Sequence, residues 1–384
     1  MKYRNLGKTG LKLSEIGFGC EGLMEKTDDE IKEFADTMEK YGVNCIDFYS
    51  PNPNARRGFG KAIKNRREKF IIESHIGSIW ENGQYLRTRD IEKVKKGFET
   101  SLLEFDTDYI DIGMIHYVDS MSDLENILNG PVRKYVEKLK EEGKIKCIGM
   151  SSHNPIVAKA AINSGLIEVL LFSINPCYDL QPASEDVEEL WAEKNYENNL
   201  LNMDKDREEL YELCQAKGVG ITVMKAFGGG DLLNNYSPAK VSLTPYQCLH
   251  YALTRPGVAS VMCGARTVDE LLKSISYEDA KDDEKDYAKA LASFPKISWE
   301  GHCMYCGHCA PCSKGIDIAS VTKFLNLSKA QGFVPETVRE HYRALQHKAS
   351  ECIKCGACTK RCPFKVDIIK NMEEAAKILD NSIK

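Results

Sequence analysis

Short apolar runs and amphipathic stretches alternate along the first 290 residues. The apolar runs read as buried strands at 16–19, 44–47, 70–74, 110–115, 146–150, 169–174, 220–224 and 258–262. Between them apolar residues recur every three or four positions, which predicts helices over 28–41, 54–65, 89–105, 131–142, 154–164, 207–217, 244–254 and 267–276. Eight strand–helix units, with strands apolar on both faces, predict an α/β fold of the (β/α)8 TIM barrel type. An acidic stretch at 183–209 interrupts the sixth unit and reads as a long loop with a helix of its own, its charge a solvated face over the barrel mouth. Near residue 295 the pattern changes. Three further helical segments follow at 316–332, 335–349 and 367–384, with Gly332 and Pro335 between the first two. The chain therefore divides into a barrel over 1–292 and a small helical domain over 293–384.

Fifteen cysteines add chemistry to that outline. Seven are scattered singly: Cys20, Cys45, Cys147, Cys177, Cys214, Cys248 and Cys263. The other eight form two runs, "CMYCGHCAPC" at 303–312 and "CIKCGACTKRCP" at 352–363. Thiolates clustered at fixed spacing are metal ligands rather than a disulfide framework. Cys352, Cys355, Cys358 and Cys362, followed by Pro363, match the bacterial ferredoxin spacing. Cys303, Cys306, Cys309 and Cys312 differ only in having one residue fewer before the last cysteine and Ser313 in place of proline. Eight ligands suffice for two [4Fe–4S] clusters, so the second domain reads as ferredoxin-like. In two-cluster ferredoxins the fourth cysteine of each run serves the other cluster. That rule pairs Cys303, Cys306 and Cys309 with Cys362, and Cys352, Cys355 and Cys358 with Cys312. Two structural zinc sites are the alternative. Three ligands crowded onto one loop fit a cube face better than a tetrahedral ion. His302 and His308 flank the first run and read as outer neighbours, not ligands. Cys45 and Cys20 read as small buried hydrophobes.

The net charge of −5, from 52 basic and 57 acidic residues, provides no field for nucleic acid. The N-terminal segment has no apolar core of signal-peptide length, and no apolar run reaches the ~20 residues of a membrane span. These features predict a cytoplasmic protein with a small-molecule substrate and a redox partner protein, and with neither nucleic acid nor membrane as a partner.

In a barrel of this kind chemistry sits at the C-terminal ends of the strands. Those ends carry Cys20, Asp47, His75, His116, Ser151, Asn175, Lys225 and Gly264. The surrounding segments "YRNLGKTGLKLSEIGFG", "DYIDIGMIHY", "GKIKCIGMSSHN", "KGVGITVMKAFGGGDLL" and "RPGVASVMCGARTVDEL" resemble, in order, units of the aldo-keto reductases. With its cysteine-rich tail, the chain resembles oxidoreductases of that family that carry a C-terminal [4Fe–4S] domain. The resemblance places the family's catalytic aspartate on Asp47 and its histidine on His116. The lysine position falls on His75 and the tyrosine position on Asn52, so half of the usual proton-transfer set is replaced. For the cofactor it implies NADP(H), with Ser151 at the nicotinamide amide, Lys225, Gly228 and Gly229 (with Gly230) at the phosphate loop, and Arg266 at a 2′-phosphate. Leu171 and Ser152 stand where the family has glutamine and asparagine, which counts against nicotinamide.

Imidazoles work as acids and bases near neutrality. Asp47, His75 and His116 are accordingly the expected catalytic group, with His116 as first proton donor, and Asn52 is expected to hold a substrate oxygen. Tyr49, Tyr117 and Lys225 are further candidates for a displaced acid. Three functional classes follow: an NAD(P)-linked iron–sulfur oxidoreductase, a lyase or dehydratase whose clusters are structural, or a non-catalytic electron-transfer or redox-sensing subunit. The first is the preferred reading. A hydride carries two electrons and a cluster one, so this class calls for a splitting centre such as a flavin, for which no motif is readable.

Overall fold

The computed structural model describes residues 1–180, 183, 204–234, 242–287, 303, 309–331, 333–334, 336–362 and 365–383. Eight parallel strands close into a barrel in sequential order: β1 (Ile16–Gly19), β2 (Cys45–Phe48), β3 (Ile71–Ile76), β4 (Ile110–Ile115), β5 (Ile145–Ser152), β6 (Val169–Ser173), β7 (Gly220–Met224) and β8 (Val258–Gly264). Their side chains alternate between two cores. Inward-facing Cys45, Ile112, Met114, Cys147, Val169, Leu171, Ala259 and Met262 fill the interior, and Leu6 and Leu13 beside an N-terminal hairpin (Tyr3–Asn5 with Lys12–Ser14) join that cluster. Outward-facing residues such as Ile46, Ile72 and Val223 pack under the surrounding helices. Gly149 shows how tight the interior is: a Cβ there would stand 2.4 Å from the sulfur of Met114.

Local signals set the helix ends. Thr27 and Glu30 form a reciprocal capping box at Asp28–Tyr41, and Gly42 ends that helix in the left-handed region. Helix Lys205–Lys217 begins two residues before its predicted start because the Asp204 side chain accepts from the amides of Asp206 and Arg207. The rest of the predicted acidic loop, at 184–203, lies outside the described residues. So does the predicted domain boundary at 292–293.

The tail contributes helices Ile318–Gln331, Glu336–Ala344, Ala357–Arg361 and Ile368–Ala375. The predicted helix at 335–349 stops at Ala344, and a 3-10 turn, Ala349–Glu351, leads into Cys352. The last predicted helix ends in a wider π turn over Ala376–Asp380. Elements absent from the predicted set include helix Met121–Asn129, the short helices Asp282–Lys285 and Ala357–Arg361, and a second hairpin pairing Ser78–Glu81 with Gln84–Arg87. Ile316, Val321, Leu325, Tyr342, Ile368 and Met372 of the tail share one core with Tyr178, Leu232 and Leu243. The last three follow β6 and β7, so the tail is docked on the C-terminal mouth of the barrel. Among the described residues no helix is long and apolar enough to cross a membrane.

Candidate active site

Strand periodicity places the central group. Cys45 and Asp47 share a face of β2, Glu73 and His75 a face of β3, and Met114 and His116 the same face at the end of β4. The inward register stacks Asp47, His75 and His116 at the mouth, above a layer containing Cys45 and Glu73. All three are at least nine-tenths buried. His75 Nε2 lies 3.0 Å from Asp47 Oδ1, and His75 Nδ1 lies 2.6 Å from His116 Nδ1. The three residues singled out in the sequence thus form one hydrogen-bonded chain.

That chain has a fourth member the sequence analysis missed. Tyr85, on the second hairpin, sets its hydroxyl 2.6 Å from His116 Nε2. The signal was present in "SIWENGQYLR": Asn82–Gly83 between alternating residues is the preferred dipeptide of a type I′ turn, and both residues take positive φ (53° and 75°). The hairpin is fastened on three sides. Ser78 Oγ donates to the Tyr49 carbonyl (2.8 Å). Arg87 donates to the Tyr117 carbonyl (3.0 Å), and Arg89 to the carbonyl of His116 (2.7 Å) while gripping Asp123. Gln84 pairs with the peptide of Cys312 both ways, donating to its carbonyl (3.0 Å) and accepting from its amide (2.8 Å).

Other candidates for a displaced acid are engaged elsewhere. Burial, then the negative charge of Glu21, holds the Tyr49 phenol well above its ordinary value. Tyr117 adopts φ 49° and packs edge-on against His153, with ring centroids 5.3 Å apart. Asn52 caps helix Pro53–Ile63, its side-chain oxygen accepting from the Ala55 amide (3.0 Å). Beside β5, His153 Nδ1 lies 2.8 Å from Asp119 Oδ2. Burial alone would raise the Asp119 carboxyl, but the charge and hydrogen bonds of His153 carry it well below the usual carboxylate range. Cys20 and Cys45 are fully buried, and burial pushes both thiols up, as expected of small hydrophobes.

The cofactor candidates sit at consecutive strand exits. Ser151 is buried, opposite Leu171 in the β5–β6 register, and its oxygen accepts the Tyr117 amide (2.7 Å); its hydroxyl proton can still be donated. Lys225 follows β7 with φ 62°, and its ammonium lies 6.0 Å from the Tyr178 ring centre. Gly228, Gly229 and Gly230 run through φ of 60°, 73° and 101°, a left-handed turn that side chains resist. Arg266 is exposed next to Thr267, the cap of helix Val268–Ile275. The tail brings a second cation to this place: burial, and then the charge of Arg266, lower Lys323 to about 8. These residues suit a phosphate-bearing nucleotide, since they combine three cations, Lys225, Arg266 and Lys323, with backbone able to approach closely.

Seven of the eight clustered cysteines are described, and Cys306 lies outside the described residues. Cys358 and Cys362 belong to the tail core, and Cys303, Cys309, Cys312 and Cys352 pack against it, while Cys355 is exposed. Arg361 ties the runs together, donating to the carbonyls of Cys309 (2.6 Å) and Pro311 (2.7 Å). The described cysteines of both runs therefore converge on one small core, a donor set that fits iron–sulfur clusters.

A profile of the Aldo/keto reductase family matches residues 15–245, and a profile of a 4Fe-4S dicluster domain matches residues 302–367. The chain is 28% identical over 306 residues to the uncharacterized oxidoreductase YqkF of Bacillus subtilis, spanning 77% of this chain and 97% of that one. It is 26% identical over 260 residues to the aldo-keto reductase YhdN of the same organism, spanning 62% and 70%. Among solved structures, the holo form of aldo-keto reductase AKR11C1 from Bacillus halodurans superposes with a TM-score of 0.59 at 22% identity, over 79% of this chain and 99% of that one. That likeness concerns the fold. The family match ends before Arg266, whose assignment rests on its position alone.

Proposed function

The chain belongs to the aldo/keto reductase family, and from that premise we propose that it is an NAD(P)-linked iron–sulfur oxidoreductase acting on a small carbonyl compound or its alcohol. One observation carries the reading: the cysteine-bearing domain is docked on the barrel mouth, and Gln84, which pairs with the Cys312 peptide, is the chain neighbour of Tyr85, which bonds His116. A domain serving only as a staple has no need to meet the barrel there.

When bound, the clusters would supply electrons one at a time and the nicotinamide a hydride. Cys303, Cys306, Cys309 and Cys312, with Cys352, Cys355, Cys358 and Cys362, would hold the clusters. Ser151 would donate to the nicotinamide amide. Lys225, Gly228, Gly229 and Arg266 would hold its phosphates, with backbone amides approaching where no Cβ intervenes. Asp47 fixes the orientation of His75, and His75 that of His116, so a proton can be held at or moved from the mouth without bulk water. Burial keeps this chain from exchanging partners with solvent.

Anaerobic purification tests cofactors and function together. The reading expects about eight iron atoms per chain and a shoulder near ~400 nm that bleaches on reduction. It also expects NADP(H), or a flavin as splitting centre, in the extract. Adding NADPH and then substrate should first reduce the clusters and then reoxidise them, as read by electron paramagnetic resonance. Two zinc atoms in a colourless protein would sink the cluster assignment. Clusters indifferent to nucleotide and substrate would leave a proton-moving lyase or dehydratase instead.

A further inference from the structure

The family's tyrosine position is Asn52, yet the mouth of the barrel contains a phenol supplied by a different element. We infer that Tyr85 is the proton donor of this site, recharged through His116 and through His75, which Asp47 orients. The inference rests on the oxidoreductase reading for its substrate, a carbonyl oxygen, and on the hairpin geometry for the residue.

Both ring nitrogens of His116 are engaged, Nδ1 with His75 and Nε2 with Tyr85. Tyr85 is half-buried, whereas His116 is only 6% exposed, so a molecule entering the mouth meets the phenol before the imidazole. The distances also constrain the protons, whose positions follow from network logic. One proton occupies the 2.6 Å gap between the two Nδ1 atoms. In the loaded form His75 Nε2–H donates to the Asp47 carboxylate. His75 Nδ1–H then donates to His116 Nδ1, and His116 Nε2–H to Tyr85 Oη, which turns its own hydrogen toward the substrate.

During reduction a bound nicotinamide would supply the electron pair, as hydride, to the carbonyl carbon. The Tyr85 O–H bond breaks as an O–H bond forms on the substrate oxygen. The His116 Nε2 proton moves to Oη and the His75 Nδ1 proton to His116 Nδ1. The chain ends one proton poorer, with His75 still donating to the Asp47 carboxylate and the hydrogen bonds among His75, His116 and Tyr85 reversed. Reprotonation from solvent reloads it. A phenol near pKa 10 is a poor acid alone. Here imidazole donation to the nascent phenolate does the work of a neighbouring cation. Gln84 is a positioning residue, since its two bonds to the Cys312 peptide fix the strand that carries Tyr85.

Two independent measurements test this on the cluster-loaded protein. In the kinetic arm, Tyr85→Phe should lower kcat on the order of 10²-fold with KM nearly unchanged and iron content intact. In the chemical arm the protein is exposed to an aryl sulfonyl fluoride, which forms a sulfonate ester with a phenol as fluoride leaves and a base takes the proton. Tyr85 should be labelled roughly tenfold faster than the exposed Tyr3 and Tyr41, by mass spectrometry, because in the unloaded form His116 Nε2 accepts its proton. His116→Gln should bring Tyr85 down to their rate, and Gln84→Ala should slow its labelling at full iron content. Wild-type kcat in Tyr85→Phe, or Tyr85 labelling no faster than Tyr3 in the wild type, overturns the assignment. If the wild type reduces no carbonyl compound, the oxidoreductase reading fails, and the labelling arm alone still decides whether the phenol is coupled to His116.

Discussion

Glu73 lies fully buried inside the barrel, two residues before His75, with Thr222 Oγ1 donating to it at 3.3 Å. Burial, and then the charge of Asp47, raise its carboxyl well above the ordinary 4.5. The folded chain therefore keeps a proton that the unfolded chain releases above that value. This stabilisation is complete below pH 4.5 and is lost as pH rises toward the folded value. Glu73→Gln, which keeps the shape without the titration, should raise Tm by a few degrees at pH 8 and leave it unchanged at pH 4, a comparison made by calorimetry. At the mouth, His116→Ala should cost on the order of 10²-fold in turnover whichever group touches substrate, because it cuts the chain in the middle. Asn52→Tyr should not raise turnover, since His75 stands where the resemblance to the family places the lysine that would acidify the new phenol. It should also lower stability by about 1 kcal/mol through loss of the Ala55 cap, measured by denaturant unfolding. Asn52 was expected to hold a substrate oxygen because the resemblance places the family's tyrosine there. Pro53 and the helix it opens mark the same residue as a helix cap, the role its side chain takes in the structure.

At the scale of elements, the eight barrel strands were legible because each must be apolar on both faces, which leaves an unmistakable run. Asp47, His75 and His116 were legible for the same reason, since each stands where such a run ends. Tyr85 was not, because the hairpin from Ser78 to Arg87 has no buried run and was passed over as a connection. The cysteine spacing predicted the ligands, and the structure adds how the runs meet. Arg361 bonds Cys309 and Pro311, which brings the residue next to Cys362 against the first run. A crossed ligation, with Cys362 joining the first run, would use this contact. Cys362→Ser should impair the cluster held by Cys303, Cys306 and Cys309, leaving the other signal in electron paramagnetic resonance largely intact. Loss confined to the cluster of Cys352, Cys355 and Cys358 would reverse the pairing.

At the scale of the whole molecule, the docking of the tail on the barrel mouth was invisible in the sequence. Gln84 and Cys312 are 228 residues apart, and neither lies in a pattern that points to the other. The same holds for Lys323 and Arg266, whose repulsion records two domains meeting at one strand exit. The Gln84–Cys312 pairing makes the hairpin behave as a fuse. Its outer strand is pinned by the backbone of Cys312, so if Cys312 holds a cluster, destroying that cluster by oxygen would release the pin as well as the electrons. Hydrogen exchange should then accelerate in residues 78–87 of air-exposed protein while β3 and β4 keep their protection, measured by mass spectrometry against the anaerobic form. An oxidoreductase built this way would stop handling protons in the same event that ended its electron supply, and so would not run half of its reaction on a damaged tail.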